Sequence, residues 1–261
     1  MKTVLTRMPI AALALLCVST APAQQYPTRP IKLYVTTLAG GAPDIVARVV
    51  GQKFSEVLGQ PVIVENRPGA NGNIAAEATA KAAPDGHTLM VCADAQLVTN
   101  PHLYAKLPFD PLRDLTAIAT LVSNEFVLAI HPALPANNFK EFIAFARHAN
   151  PPLNYASGGN GSQHHLTMEM LKSRAGIKLV HVPYKGGTAA ATATVSGEVA
   201  AVFAGSSSAP QIKAGRLRAL AVASTERSAS FPDLPAIAEV YQDSTIAFGS
   251  LCARRRECPI P

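Results

Sequence analysis

Short apolar runs alternate with stretches of helical periodicity from residue 31 onward. "IKLYVTT" (31–37), "PVIVE" (61–65) and "HTLMVCA" (87–93) predict strands. "PDIVARVVGQKFSEVL" (43–58) predicts a helix whose inner face carries Ile45, Val46, Val49, Val50, Phe54, Val57 and Leu58, ended by Gly59. A second helix is expected at about 73–82. That order of strand and helix predicts a mostly parallel sheet covered by helices. After the proline-containing stretch "NPHLYAKLPFDPLRDL", strands are expected at 116–123, 125–131, 153–157, 178–183, 199–204 and 217–224. Helices are expected between them at 138–149, 163–174, 188–196 and 208–214. Because the stretch around 100–125 interrupts the alternation, two α/β lobes fit better than one. No internal repeat or low-complexity tract is visible.

Composition supports a folded chain: 48% of the 261 residues are hydrophobic and 15% are charged. The first segment reads differently. Lys2 and Arg7 precede an apolar stretch from Ile10 to Val18 that is too short to span a bilayer, and Ala21-Pro22-Ala23 offers small residues for cleavage. This predicts a secretory leader cut after Ala23, with the rest soluble and outside the cytoplasm. A lipid anchor at Cys17 is disfavoured by bulky Leu16. The remaining cysteines, Cys92, Cys252 and Cys258, are odd in number and make no disulfide framework, although Cys252 and Cys258 could close a small loop. The net charge of +6 is scattered apart from Arg254-Arg255-Arg256, and few aromatic residues accompany it, so nucleic-acid binding is poorly supported.

Three loops carry the candidate chemistry, since ligands of open α/β sheets collect beyond the carboxyl ends of strands. In "LAGGAPD" (38–44), Gly40 and Gly41 allow close backbone approach, and Asp44 sits in the first helical turn. In "YASGGNGSQHHL" (155–166), Ser157, Gly161 and Ser162 lead into a helix expected to turn Leu166, Met170 and Leu171 inward. Ser162 is placed as its N-cap, and the open N–H groups there form an anion cradle. "VFAGSSSAP" (202–210) repeats the pattern with Gly205, Ser206 and Ser207. Neither a dinucleotide fingerprint nor a phosphate loop is present. Adjacent His164 and His165 diverge on a helix, which argues against a metal site, and His165 is expected to hydrogen-bond the loop backbone.

Several words go further. The long run at 26–90, "LNYASGGNGSQHHLTMEMLKS" (153–173) and "HVPYKGG" (181–187) closely resemble the Bug family, the extracytoplasmic receptors of tripartite tricarboxylate transporters. Glu65-Asn66-Arg67-Pro68-Gly69-Ala70, Ala83-Pro84-Asp85-Gly86 and Val182-Pro183-Tyr184-Lys185-Gly186 are specific to that resemblance, which covers about residues 26 to 240. It implies an α/β, two-lobed fold of the type II periplasmic-binding-protein kind, with a mainly parallel sheet in each lobe. The implied limits are a first lobe of 24–124 completed by 225–261 and a second lobe of 125–224. It also implies capture of a small organic carboxylate (a dicarboxylate, tricarboxylate or aromatic acid) by lobe closure. Delivery to membrane permease subunits follows, without cofactor, metal or catalysis. The residues mapped to the ligand are Gly40, Gly41, Asp44, Ala95, Gln96, Ser157, Gly161, Ser162, His165, Gly205 and Ser206. Lys185 stands as an added cation or as a packing residue.

Two departures qualify the match. Leu38-Ala39 precede Gly40 where the family carries a proline-bearing turn. After Phe248-Gly249, "SLCARRRECPIP" leaves the family pattern without helical periodicity, as in a truncated chain whose sheet would lack covering helices. The competing readings are a secreted hydrolase using Ser162 and His165, and a decayed binding protein without a transport role.

Overall fold

The computed structural model describes residues 26–241 and the backbone of 248–255. The leader, the Cys17 anchor and a Cys252–Cys258 loop lie outside the described residues. The first half runs β1 (Ile31–Val35), α1 (Ala42–Leu58), β2 (Val62–Asn66), α2 (Asn73–Ala80), β3 (Thr88–Ala93) and β4 (Leu115–Asn124). The proline-containing stretch before β4 forms two one-turn helices, Asn100–Leu103 and Pro111–Asp114. The second half runs β5 (Phe126–Ile130), α3 (Phe139–His148), β6 (Asn154–Ser157), α4 (Gln163–Ala175), β7 (Val180–Pro183) and α5 (Gly187–Val195). It continues through β8 (Ala201–Gly205), α6 (Ala209–Lys213) and β9 (Arg218–Val222), and the chain then reaches β10 (Phe248–Arg255).

These strands form two five-stranded sheets, ordered β2-β1-β3-β10-β4 and β7-β6-β8-β5-β9. The two sheets follow one plan. Three strands pair in parallel, and a single antiparallel strand, β10 or β5, separates them from the fifth. The exceptions have a geometric cause. Only Glu125 separates β4 from β5, so the chain passes directly between sheets and enters the second at its carboxyl edge, where Phe126 pairs with Gly205. The return is alike: β10 begins opposite Asn124, at the carboxyl end of β4. The carboxyl edges of the sheets therefore face each other across the two crossings. The fold is α/β and two-lobed.

The cores alternate as strand geometry requires. One face of the second sheet buries Phe126, Leu128, Ile130, Tyr155 and Phe203 against Phe142 and Met168. Its other face packs Ala129, Ala156 and Val202 against Ala190 and Ala193 of α5. In the first sheet, Ile31, Leu33, Val35 and Val91 pack toward α1, and Tyr34, Met90 and Cys92 toward α2.

Three expectations need correction. The inner stripe of α1 is Asp44, Ala47 and Gly51, with Phe54 and Leu58 packed beside it as expected, whereas Ile45, Val49 and Val57 are 48%, 62% and 82% exposed. Gly51 explains this: a Cβ there would stand 3.3 Å from Val62 Cγ1, so small residues let the helix lie close on the sheet. Helix α4 buries Thr167, Met168, Leu171 and Ala175, and leaves Leu166 and Met170 only partly covered. Residues 225–241, expected to return to the first lobe, instead pack on the second sheet through Phe231, Leu234, Ala236 and Ile237, and the chain rejoins the first sheet only as β10, which runs through Arg255 paired on both sides.

Candidate functional site

A cleft of about 280 Å³ lies between the two carboxyl edges. Loops from both sheets line it: Thr36–Leu38 and Gly41–Pro43 after β1, Pro68–Gly72 after β2, Ala93, Ala95 and Gln96 after β3, and Asn124 with Phe126 at the first crossing. From the second sheet come Gly158–Asn160 and Ser162–His164 after β6, Tyr184–Thr188 after β7, and Gly205 with Ser207 after β8. Among the described residues lining it, Lys185 alone carries a charged side chain, and there is no carboxylate.

Helix starts supply the remaining positive potential. Helix α1 begins after Gly41 with Pro43 in its first turn and receives no side-chain cap, and α5 likewise begins uncapped after Gly186. The first residues of both helices, Gly41–Pro43 and Gly186–Thr188, line the cleft from opposite lobes, where the N–H groups of a helix start have no partner within the helix. Helix α4 differs, because Ser162 Oγ accepts the His165 N–H at 3.3 Å and closes that end.

Of the residues mapped from sequence, Gly41, Ala95, Gln96, Ser162 and Gly205 line the cleft together. The others do not line it. Gly40 donates its N–H to Asp44 Oδ2 at 2.9 Å; Asp44 also binds Arg48 and the Asn66 amide. Burial alone would raise the Asp44 carboxyl, yet Arg48, the Gly40 N–H and Asn66 hold it below its usual value. Ser157 is fully buried; its Oγ lies 3.1 Å from both Gly159 N and Gly159 O and 2.5 Å from His181 Nε2. Gly161 donates its N–H to His165 Nδ1 at 3.1 Å, and the His165 ring stacks on His181 at 4.0 Å. Ser206 donates to Asn124 Oδ1 through both N–H and Oγ, tying the β8 loop to the first crossing. Ser162 meets only the backbone of His165, so the side-chain pair required by the hydrolase reading is not formed.

Other packing features were not anticipated from the sequence, where His164 enters only as a metal-ligand candidate. His164 packs edge-on against Phe126, with ring centroids 4.8 Å apart, while Nδ1 is sealed without a partner and burial holds the imidazole at about 4, hence neutral. The loop Gly69–Gly72 has positive φ at all four residues, including Ala70 and Asn71. Amides fix it from below: Gln96 Nε2 and Asn100 Nδ2 both donate to Asn71 O, and Asn71 Nδ2 donates to Asn100 Oδ1. Thr36 Oγ1, Thr37 Oγ1 and Gln96 Oε1 find no partner in this wall. The lobes also touch directly. Gln163 Nε2 donates to Asp94 Oδ1, and a Cβ at Gly161 would fall 2.3 Å from Leu103 Cδ1. These contacts bridge the lobes beside the cleft. A signal for the α5 start was present in the sequence, since Gly186-Gly187 after a strand repeats the pattern of Gly40-Gly41.

Comparison with known proteins agrees with this architecture. Residues 46–253 match the pattern of the tripartite tricarboxylate transporter family receptor. A UPF0065 protein of Bordetella bronchiseptica is 39% identical over 225 residues, which are 86% of this chain and 67% of that one. The structure of R. palustris Rpa4515 with adipate superposes with a TM-score of 0.85 at 30% identity, covering 90% of this chain and 79% of that chain. The periplasmic binding protein BugD superposes with a TM-score of 0.84 at 29% identity, covering the same 90% and 79%. The match extends into β10, beyond the point where the sequence was expected to leave the family pattern. With this coverage, the chain belongs to the tripartite tricarboxylate transporter receptor family.

Proposed function

We propose that this protein captures a small organic carboxylate in the periplasm by closing its two lobes and delivers it to the permease subunits of a tripartite tricarboxylate transporter. The observation that carries this reading is the meeting of two uncapped helix starts, α1 and α5, in one cleft that contains Lys185 and no lining carboxylate. Such a site stabilises an anion through fixed N–H dipoles and gives an ammonium group no countercharge. Adipate in Rpa4515 supports a dicarboxylate, one end held by the helix starts and the other directed to Lys185. The ligand set comprises Gly40, Gly41, Asp44, Ala95, Gln96, Ser157, Gly161, Ser162, His165, Gly205 and Ser206. Within it the cleft-lining members contact solute, and the others shape the loops. Residues 125–224 move as one lobe and carry 225–241 with them, because Phe231, Leu234, Ala236 and Ile237 pack on the second sheet, against 26–124 together with β10. The leader at 1–23 supports export, and no helix among the described residues is long and apolar enough to cross a membrane.

Thermal melts against a panel of mono-, di- and tricarboxylates, aromatic acids and amino acids test this. A bound solute at a hundred times its Kd stabilises the fold by about 2.7 kcal/mol. A selective upward shift with a carboxylate is expected. A shift with amino acids alone would contradict the absence of a countercharge for ammonium.

A further inference from the structure

Behind the β6–α4 loop stands a column of rings that touches the cradle without lining the cleft. Tyr155 of β6 stacks on His181 of β7 at 5.0 Å and 24°, and His181 stacks on His165 of α4 at 4.0 Å and 14°. Each histidine contacts the loop. His165 Nδ1 accepts the Gly161 N–H at 3.1 Å. His181 Nε2 lies 2.5 Å from Ser157 Oγ, which in turn holds Gly159 through its N–H. The loop so held runs through Gly159, Asn160 and Ser162 in the cleft wall and touches Leu103 of the opposite lobe beside Gly161.

We propose that His165 and His181 are positioning residues that set the β6–α4 loop for ligand capture while both are neutral, and that protonation of the pair loosens the loop and weakens binding. This rests on the carboxylate reading of the cleft. The proton positions follow from the hydrogen bonds. An imidazole that accepts an N–H at Nδ1 carries its proton on Nε2, and for His165 that atom faces Glu169 Oε1 at 3.9 Å. Adding a proton at Nδ1 sets two donors against each other and forces Gly161 away. It also places a cation face to face with a second imidazole 4.0 Å distant.

The surrounding groups are few. Glu169 and Lys172 of α4 form an ion pair of 2.6 Å beside the column, and Glu169 also accepts the Tyr155 hydroxyl at 2.6 Å. Glu169 favours the charged form of both histidines, and Lys172 opposes it. Burial is the largest influence on each and favours the neutral form, holding His181 at about 4 and His165 below its usual value.

The test pairs binding with a ligand-free readout. Adipate affinity is measured by calorimetry from pH 7.5 to 4.5 in the wild-type protein and in His165→Leu, His165→Asn and His181→Phe. At pH 7.5, His165→Leu is expected to bind at least tenfold more weakly. His165→Asn, whose side-chain oxygen can accept the same N–H, should recover most of that loss. The ratio of wild-type to His165→Asn affinity cancels the ligand's own titration and should fall as pH drops; His181→Phe keeps the ring stack and should move that fall. In parallel, the Gly161 amide resonance of the ligand-free protein should titrate with the His165 ring and stay flat in His165→Asn. A constant affinity ratio, or full affinity in His165→Leu, would overturn the positioning role while leaving carboxylate capture intact. If adipate does not bind, the amide titration decides alone: a Gly161 resonance indifferent to pH, or His165 protonated on Nδ1 at neutral pH, refutes the proposal.

Discussion

At the scale of single residues, the site depends on buried groups kept in one protonation state. His164 is the sharpest case, with burial placing it at about 4 against an ordinary 6.5. Between those values the unfolded chain binds the proton more readily, so folding stability falls as pH drops from about 6.5 to about 4 and levels off below. His181 has the same window. His164→Leu should therefore flatten the decline in Tm from pH 6.5 to 4 while leaving the part due to His181; an unchanged slope would show that His164 is not buried neutral. Asp44 behaves in the opposite sense. Its carboxyl is held below its usual value, so its contribution is complete at neutral pH and disappears only as pH falls through that lowered value. Acid therefore acts on the cleft wall before it acts on the α1 turn.

At the scale of elements, periodicity and punctuation fixed most strands and helices to within a residue or two, because each strand is a compact apolar run bounded by loop residues. Periodicity was less informative about which face of α1 is buried. Ile45, Val49 and Val57 form a convincing apolar stripe, but close packing on β2 favours Ala47 and Gly51. Strand β10 was not legible, because its pairing is made with segments distant in sequence. The site divides in the same way. Gly41, Ser162 and Gly205 announce themselves as strand-to-helix turns, whereas His164, Thr36 and the Asn71 amide network gain meaning only when separate loops converge. The β7–α5 turn tests one such convergence. A Cβ on Gly187 would lie 2.3 Å from His164 Nε2, so Gly187→Ala should destabilise the protein by about 1–3 kcal/mol through overpacking. The urea midpoint measures this, and no change would mean that His164 does not pack beneath that turn.

At the scale of the whole molecule, contacts between the lobes bear on closure. Gln163 reaches Asp94 across the cleft, and burial raises the Asp94 carboxyl even though Gln163 offsets part of the effect. Gln163→Ala removes one hydrogen bond of the closed form, a loss of about 1 kcal/mol, or roughly fivefold in affinity. Calorimetry should show that weakening, with a larger radius of gyration by small-angle scattering in the ligand-free protein. Full affinity and an unchanged radius would mean that closure does not depend on this contact.

The insertion of β10 between β3 and β4 also determines when the first sheet can be finished. During synthesis, β1, β2 and β3 can pair as soon as they emerge, but β4 has no ladder partner until the stretch after β9 arrives. Until then its Ile118 and Val122 border an open strand edge, the kind of surface that recruits a second chain. The second sheet needs no such delay, since β5 through β9 are contiguous. The lobe that begins first is therefore completed last, and the period of greatest exposure to misassembly falls between the emergence of β4 and the arrival of β10.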